Sequence, residues 1–171
     1  MREGAVHGEI SNCKHHKNNN YSCIAPFLCY SYSVNESQFI NKIHKKLSNQ
    51  VYRWKINDPY HGGVADAYYS GPAASAFVEY KYKPILPVKD TSKINFGLSK
   101  QQELWLTTQV NHQVPVYVIA GCENKVIQLT ADFESINTYT KKDFIKNCID
   151  LDEWVNTLQE HCLHTNGKIN D

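Results

Sequence analysis

Several familiar features are missing from this chain, and each absence narrows what it can be. Its 171 residues contain no apolar run of the 18 or so residues that a membrane helix needs, so no membrane partner is expected. The N-terminus has neither the hydrophobic region nor the small-residue cleavage site of a signal peptide. A cytoplasmic location is therefore expected, with the six cysteines held as thiols rather than as a disulfide framework. Charge of one sign is also lacking. The net charge is +1, which excludes a globally basic binder, so any engagement of nucleic acid needs a locally basic face. There is no internal repeat. No Cys-x-x-Cys or His-x-x-x-His pair occurs, so Cys13, His15 or His16, Cys23 and Cys29 form a zinc cluster only in unusual spacing. No serine or cysteine has a visibly oriented base, which argues against a covalent nucleophile.

What is present organises around Gly62 to Lys81. Two short runs rich in Val, Tyr, Phe and Ala flank the break Ser70-Gly71-Pro72-Ala73, which is the pattern of two strands and a turn. With the turn centred between Pro72 and Ala73, Asp66 falls directly opposite Glu79. Cross-strand carboxylates about 5 Å apart repel, and a cation between them relieves the repulsion. Lys81, two residues beyond Glu79, shares the same face. Two carboxylates that can take Mg²⁺, with a lysine to orient water or stabilise developing negative charge, suit phosphodiester hydrolysis.

Gly63-Val64-Ala65-Asp66 followed by Glu79-Tyr80-Lys81 resembles the PD-(D/E)XK nuclease superfamily, with Ala65 in the place of the usual proline. The run from Leu98 through Ser99 and Gln102 to Trp105 resembles the L-S-x-x-Q-x-x-W of VRR-NUC and Holliday-junction-resolvase-like members. The resemblance covers residues 34–130. It implies an α/β fold, with a restriction-endonuclease-like αβββαβ core, a mixed central sheet flanked by helices, and further helices at the C-terminus. It also implies that Asp66, Glu79 and the Tyr80 carbonyl hold Mg²⁺, with Mn²⁺ as a substitute. Lys81 would then position the attacking water, with Glu36 and Gln102 in support.

The rest of the chain is read to fit. Residues 1–33 are polar and expected to be a poorly ordered or loosely docked leader, or an extension upstream of the native start. Residues 34–171 are expected to form one domain. Ser33 to Gln50 reads as a helix with a Ser33–Glu36 capping box, and Glu36, Ile40, Ile43 and Leu47 lie on one stripe. Glu36 is then either a cap or a part of the metal site. Val51 to Ile56 is the first strand. Tyr60 and His61 lie in a loop where they are ordinary loop residues or substrate contacts. Lys83, Lys89 and Lys93 sit in a proline-broken loop after the Glu79 strand, suited to phosphate contacts or simply solvated. Ser99 to His112 is a second helix, where Gln102 serves equally as a cap or as a site residue. Strands follow at Val114–Ala120 and Lys125–Leu129, with a turn over residues 121–124. Two helices follow over residues 140–148 and 150–162, capped by Thr140/Asp143 and Asp150/Glu153.

The function expected is a Mg²⁺-dependent endonuclease acting on branched or structured DNA such as a four-way junction or flap. Symmetric junction cleavage favours a homodimer. The compact size suits a phage or mobile-element origin. The alternatives are a non-catalytic nucleic-acid-binding module on the same fold and an adaptor held by the N-terminal Cys/His set.

Overall fold

The computed structural model describes residues 34–164. The expected leader, with its Cys/His set, and the tail beyond His164 lie outside them. The first helix, α1, is Glu36–Lys46. Its cap is Asn35, not Ser33. The Asn35 side chain accepts the Gln38 N–H, and the Gln38 side chain accepts the Asn35 N–H, each at 2.9 Å. Asparagine is among the strongest N-caps and glutamine closes the box as well as glutamate does. The correction matters, because it releases the Glu36 carboxylate from any capping duty. The helix ends by Leu47, earlier than residue 50, and Leu47 and Val51 both turn into the core.

Three strands follow: β1 (Tyr52–Lys55), β2 (Ala67–Ser70) and β3 (Ser75–Tyr82). Helix α2 (Lys100–Asn111) then crosses to β4 (Val116–Cys122), and β5 (Lys125–Leu129) returns from it. The order from α1 to β4 is the expected αβββαβ core of an α/β fold, and β5 adds a further strand to it. A short 3-10 turn at Phe133–Asn137, which the sequence does not announce, leads to α3 (Lys141–Asn147), a two-residue strand β6 (Ile149–Asp150) and α4 (Leu151–Leu163). The six strands form one mixed sheet in the order β1 to β6, with β3 and β4 parallel and every other pair antiparallel.

The β2–β3 register is the one the turn placement predicts, with Ala67 opposite Val78 and Ser70 opposite Ser75. Asp66 stands one residue before β2 rather than inside it. β4 runs further than expected, so Gly121 and Cys122 are strand residues and only Glu123-Asn124 turns. Glycine at 121 has a packing cause, since a Cβ there would lie 2.5 Å from the Phe39 ring. The Thr140/Asp143 box forms as expected. Asp150 makes no side-chain cap, because its carboxylate pairs with Lys125 at 2.9 Å instead. Ile145, expected to pack, is exposed.

Each face of the sheet carries its own core. On one side, Phe39, Ile40 and Ile43 of α1 and Trp154, Val155 and Leu158 of α4 cover Val78, Tyr80 and Ile119. On the other, Leu106 of α2, Phe144 of α3 and Ile94, Phe96 and Leu98 of the preceding loop cover Val116, Val118 and Ala120. Each fully buried apolar side chain stabilises the fold by roughly 1.5–3 kcal/mol. β3 therefore has protein on both faces. Alternation sends Val78 and Tyr80 to the α1 side, and it sends Phe77, Glu79 and Lys81 beneath α2. The strand buries charge because it has no solvent face to offer.

Candidate active site

Glu79 is completely buried and Lys81 is 8% exposed, and these are the only buried charged residues among the described ones. An isolated ion in such a place is costly, so its partners are informative. The Lys81 ammonium lies 2.7 Å from Glu79 Oε1. The same oxygen accepts a hydrogen bond from the Gln102 side-chain amide. Glu79 Oε2 has no partner at all. Asp66 Oδ2 accepts the Tyr80 backbone N–H at 2.8 Å, which ties the end of β2 to β3 where the ladder stops. Because N–H and C=O of one residue point to the same side of an antiparallel strand, the Tyr80 carbonyl is directed toward the same edge.

The charges of these groups act on one another. Burial, then the Asp66 charge, pushes the Glu79 carboxyl up to about 8 against the pull of Lys81. Burial also raises Asp66, against the Tyr80 hydrogen bond and the charges of Lys81 and Lys55. Glu36 is raised by burial, with the Lys81 charge opposing and the Asp66 charge adding. For Lys81, burial works downward, but attraction to Glu79, Glu36 and Asp66 wins and the net shift is upward. Glu36, at the start of α1, thus belongs to the same cluster as the hairpin acids.

Gln102 makes a contact of each of the two kinds that the sequence left open. Its Oε1 accepts the Ser99 N–H at 3.0 Å and completes the capping box at the start of α2, while its amide reaches Glu79. Gln101, its neighbour, does something else. It packs against the glycines of the loop before Asp66. Gly63 has φ +84°, and a Cβ there would lie 2.6 Å from the Gln101 backbone oxygen. That contact seats the loop on α2.

The expected nucleic-acid contacts are less tightly gathered. Among the described residues, no hydrogen bond or ion pair joins Lys83, Lys89, Lys93 or His61 to Asp66, Glu79 or Lys81. Lys83 is close enough to act on the Glu36 charge. The segment from Lys89 to Lys93 is pinned to α3 instead, where Ser92 and Asp90 carbonyls accept the Lys141 and Lys142 N–H groups. His61 pairs with Asp58 at 2.9 Å, and Asp58 also accepts the Tyr60 and His61 N–H groups, the turn chemistry of an Asp-Pro loop. Lys55, which sequence reasoning passed over, acts on Asp66 from β1. The only signal for it was its place at the end of the first strand, and the β1–β2 register needed to use that signal depends on a loop whose path the sequence does not dictate.

The donor set fits a hard divalent cation. Asp66 and Glu79 offer oxygens, one of them unpartnered and buried. Among the described residues no three His, Cys, Asp or Glu side chains converge closely enough to enclose an ion unaided. Mg²⁺ does not require that, since it takes one or two carboxylates and keeps several waters.

A mixed α/β sheet with a buried carboxylate–lysine–glutamine cluster at the ends of β2 and β3 is the class of protein that fold and site define. The fold is similar to that of Hjc, a Holliday junction resolvase from the archaeal hyperthermophile Archaeoglobus fulgidus, with a TM-score of 0.44 and 13% identity over 70% of this chain and 98% of that one. No family model matches the chain, and no curated protein matches it.

Proposed function

We propose that this protein is a Mg²⁺-dependent endonuclease that hydrolyses phosphodiester bonds in DNA, with branched DNA such as a four-way junction or flap as its substrate. The observation that carries the reading is Glu79: fully buried, gripped through one oxygen by Lys81 and Gln102, and left with its other oxygen unpartnered beside Asp66. Asp66, Glu79 and the Tyr80 carbonyl would hold the cation, with Mn²⁺ a workable substitute. When bound, such an ion lowers the pKa of water and neutralises charge at phosphorus.

The remaining roles fall to the chain itself. Lys81, kept protonated by three acids, orients a water for in-line attack and stabilises charge on the phosphate oxygens. Gln102 fixes the Glu79 rotamer. Glu36 supports the cluster through its charge, which acts on Lys81. Lys83, with Lys89, Lys93 and His61 farther out, would contact the DNA backbone, which makes affinity fall steeply with salt. The LSxxQ resemblance to VRR-NUC members supports a branched substrate, and a homodimer would supply two sites for symmetric cuts.

The test is Mg²⁺-dependent cleavage of a four-way junction, a flap, a linear duplex and single-stranded DNA by wild type and Asp66→Asn. Cleavage by wild type alone supports the reading. If neither protein cleaves while both bind branched DNA equally, the fold serves a binding module instead.

A further inference from the structure

The face of the sheet that carries Asp66 and Glu79 continues outward to an exposed edge. β1 is an edge strand among the described residues, and all four of its residues are exposed. Its sequence, Tyr52-Arg53-Trp54-Lys55, alternates aromatics with cations. Trp54 is opposite Tyr68, which in turn is opposite Phe77. Opposed residues share a face, so Trp54, Tyr68 and Phe77 form a row across three strands. The row is closed by ring contacts of 5.0 Å between Tyr68 and Phe77 and 5.3 Å between Phe77 and Trp105 of α2. Asp66 and Glu79 form the next row, two residues along each strand and on the same face, about 7 Å away. The inner rings of the aromatic row, Tyr68, Phe77 and Trp105, are half-buried. Trp54 is 52% exposed and Tyr52, on the same face, 61%.

We propose that Tyr52 and Trp54 are a stacking platform for unpaired nucleobases beside the cleavage site, so that the substrate carries single-stranded nucleotides next to the scissile bond. The proposal deepens the nuclease reading and rests on it for the identity of the ligand. Three observations favour a nucleic-acid strand as the occupant. The platform is continuous with the acidic cluster on one sheet face. Arg53 and Lys55 alternate with the two rings on the same strand and project from the other face of the sheet, where they reach the Leu47 carbonyl and the Ser37 hydroxyl, so positive charge lines the edge behind the platform, and the Lys55 charge already reaches Asp66. Tyr60, 87% exposed, extends the aromatic series onto the loop that leads from β1 to Asp66.

The spacing selects the kind of strand. Side chains two apart on β1 are separated by about 7 Å, roughly twice the 3.4 Å rise of a stacked strand. Bases already stacked in a duplex cannot use both rings, whereas splayed bases can, and base–aromatic stacking is sequence-tolerant.

The experiment is equilibrium binding in EDTA, where cleavage plays no part. Fluorescent oligothymidylate and a blunt duplex are titrated with full-length wild type, Trp54→Ala, Trp54→Phe and Tyr52→Ala, with thermal melts to confirm folding. The expected result is a loss of oligothymidylate affinity of about fivefold or more for each alanine variant, recovery with Trp54→Phe, and duplex affinity changed less than about twofold. The proposal is overturned if wild type does not bind oligothymidylate, if the alanine variants bind it as wild type does, or if both probes weaken in parallel. It is equally overturned if sedimentation shows Trp54→Ala converting a wild-type dimer to monomer, which would give the face to a second copy of the chain. A wild type that binds oligothymidylate through Trp54 but cleaves no substrate keeps the platform and removes the nuclease reading.

Discussion

Gln102 hydrogen-bonds to Glu79 while closing the capping box of α2 with Ser99, so one side chain couples the start of a helix to a buried carboxylate. Replacing it separates the two jobs. Gln102→Ala loses both, and is expected to cost about 1 kcal/mol of stability through the cap and to slow cleavage by about ten- to a hundredfold. Gln102→Glu keeps a capping-box residue but sets an acceptor against Glu79. Its melting temperature should recover and its cleavage rate should not. Thermal melts beside single-turnover rates decide the matter, and wild-type activity in Gln102→Glu would remove Gln102 from the site.

Glu79 makes stability fall as pH rises. Its folded-state value, about 8, lies above the ordinary carboxylate value of 4.5, so the folded protein binds the extra proton. The stabilisation is complete below the ordinary value and is lost as pH climbs through about 8. In EDTA, wild type should be less stable at about pH 8.5 than at about pH 5. Glu79→Gln should flatten that slope, melt higher than wild type at alkaline pH and lose cleavage. Urea melts at the two pH values test it, and an unchanged slope in the variant would assign the dependence elsewhere.

Lys81 and Asp66 are expected to fail in different ways. Asp66→Asn removes a cation ligand, so calorimetric titration with Mn²⁺ should show weakened binding together with lost cleavage. Lys81→Met leaves both carboxylates and removes a positive neighbour from them. Mn²⁺ binding should persist while cleavage falls by about a hundredfold or more. Loss of metal binding in both variants would mean that Lys81 organises the carboxylates rather than the water.

Two glycines separate packing from positioning. Gly121→Ala drives a Cβ into the buried Phe39 ring, an overpacking that costs about 1–3 kcal/mol. It should lower the melting temperature with little effect on the residual cleavage rate. Gly63→Ala meets both a φ of +84° and the Gln101 backbone. It should displace the loop before Asp66 and reduce cleavage out of proportion to its effect on stability. Equal effects of the two variants on the rate would contradict the positional role given to Gly63.

The hairpin was legible because its information is local. A Gly-Pro turn between two alternating runs fixes the register, and the register places Asp66 against Glu79 without reference to the rest of the chain. Helix α2 was legible for the same reason, since Ser99 and Gln102 sit three residues apart. Helix α1 shows the limit. Ser33/Glu36 and Asn35/Gln38 are two boxes within six residues, and only packing of Phe39, Ile40 and Ile43 against the sheet selects the second. Lys89 and Lys93 show it again, because nothing near them in sequence reveals that their loop docks on α3.

By itself, then, the sequence determined the order of elements from α1 to β5, the pairing of the β2 and β3 hairpin and the candidates for the acidic cluster, because strand alternation, turn chemistry and capping act over a few residues. The tertiary structure decided what those candidates amount to. Covering both faces of β3 buried Glu79, raised its proton affinity and left one of its oxygens without a partner. Crossing α2 over that face brought Gln102 to it, and pairing β1 at the sheet edge put Trp54 on the same face as Asp66. Burial and long-range contact depend on which surfaces meet across the fold, and no window of sequence contains both sides of such a contact.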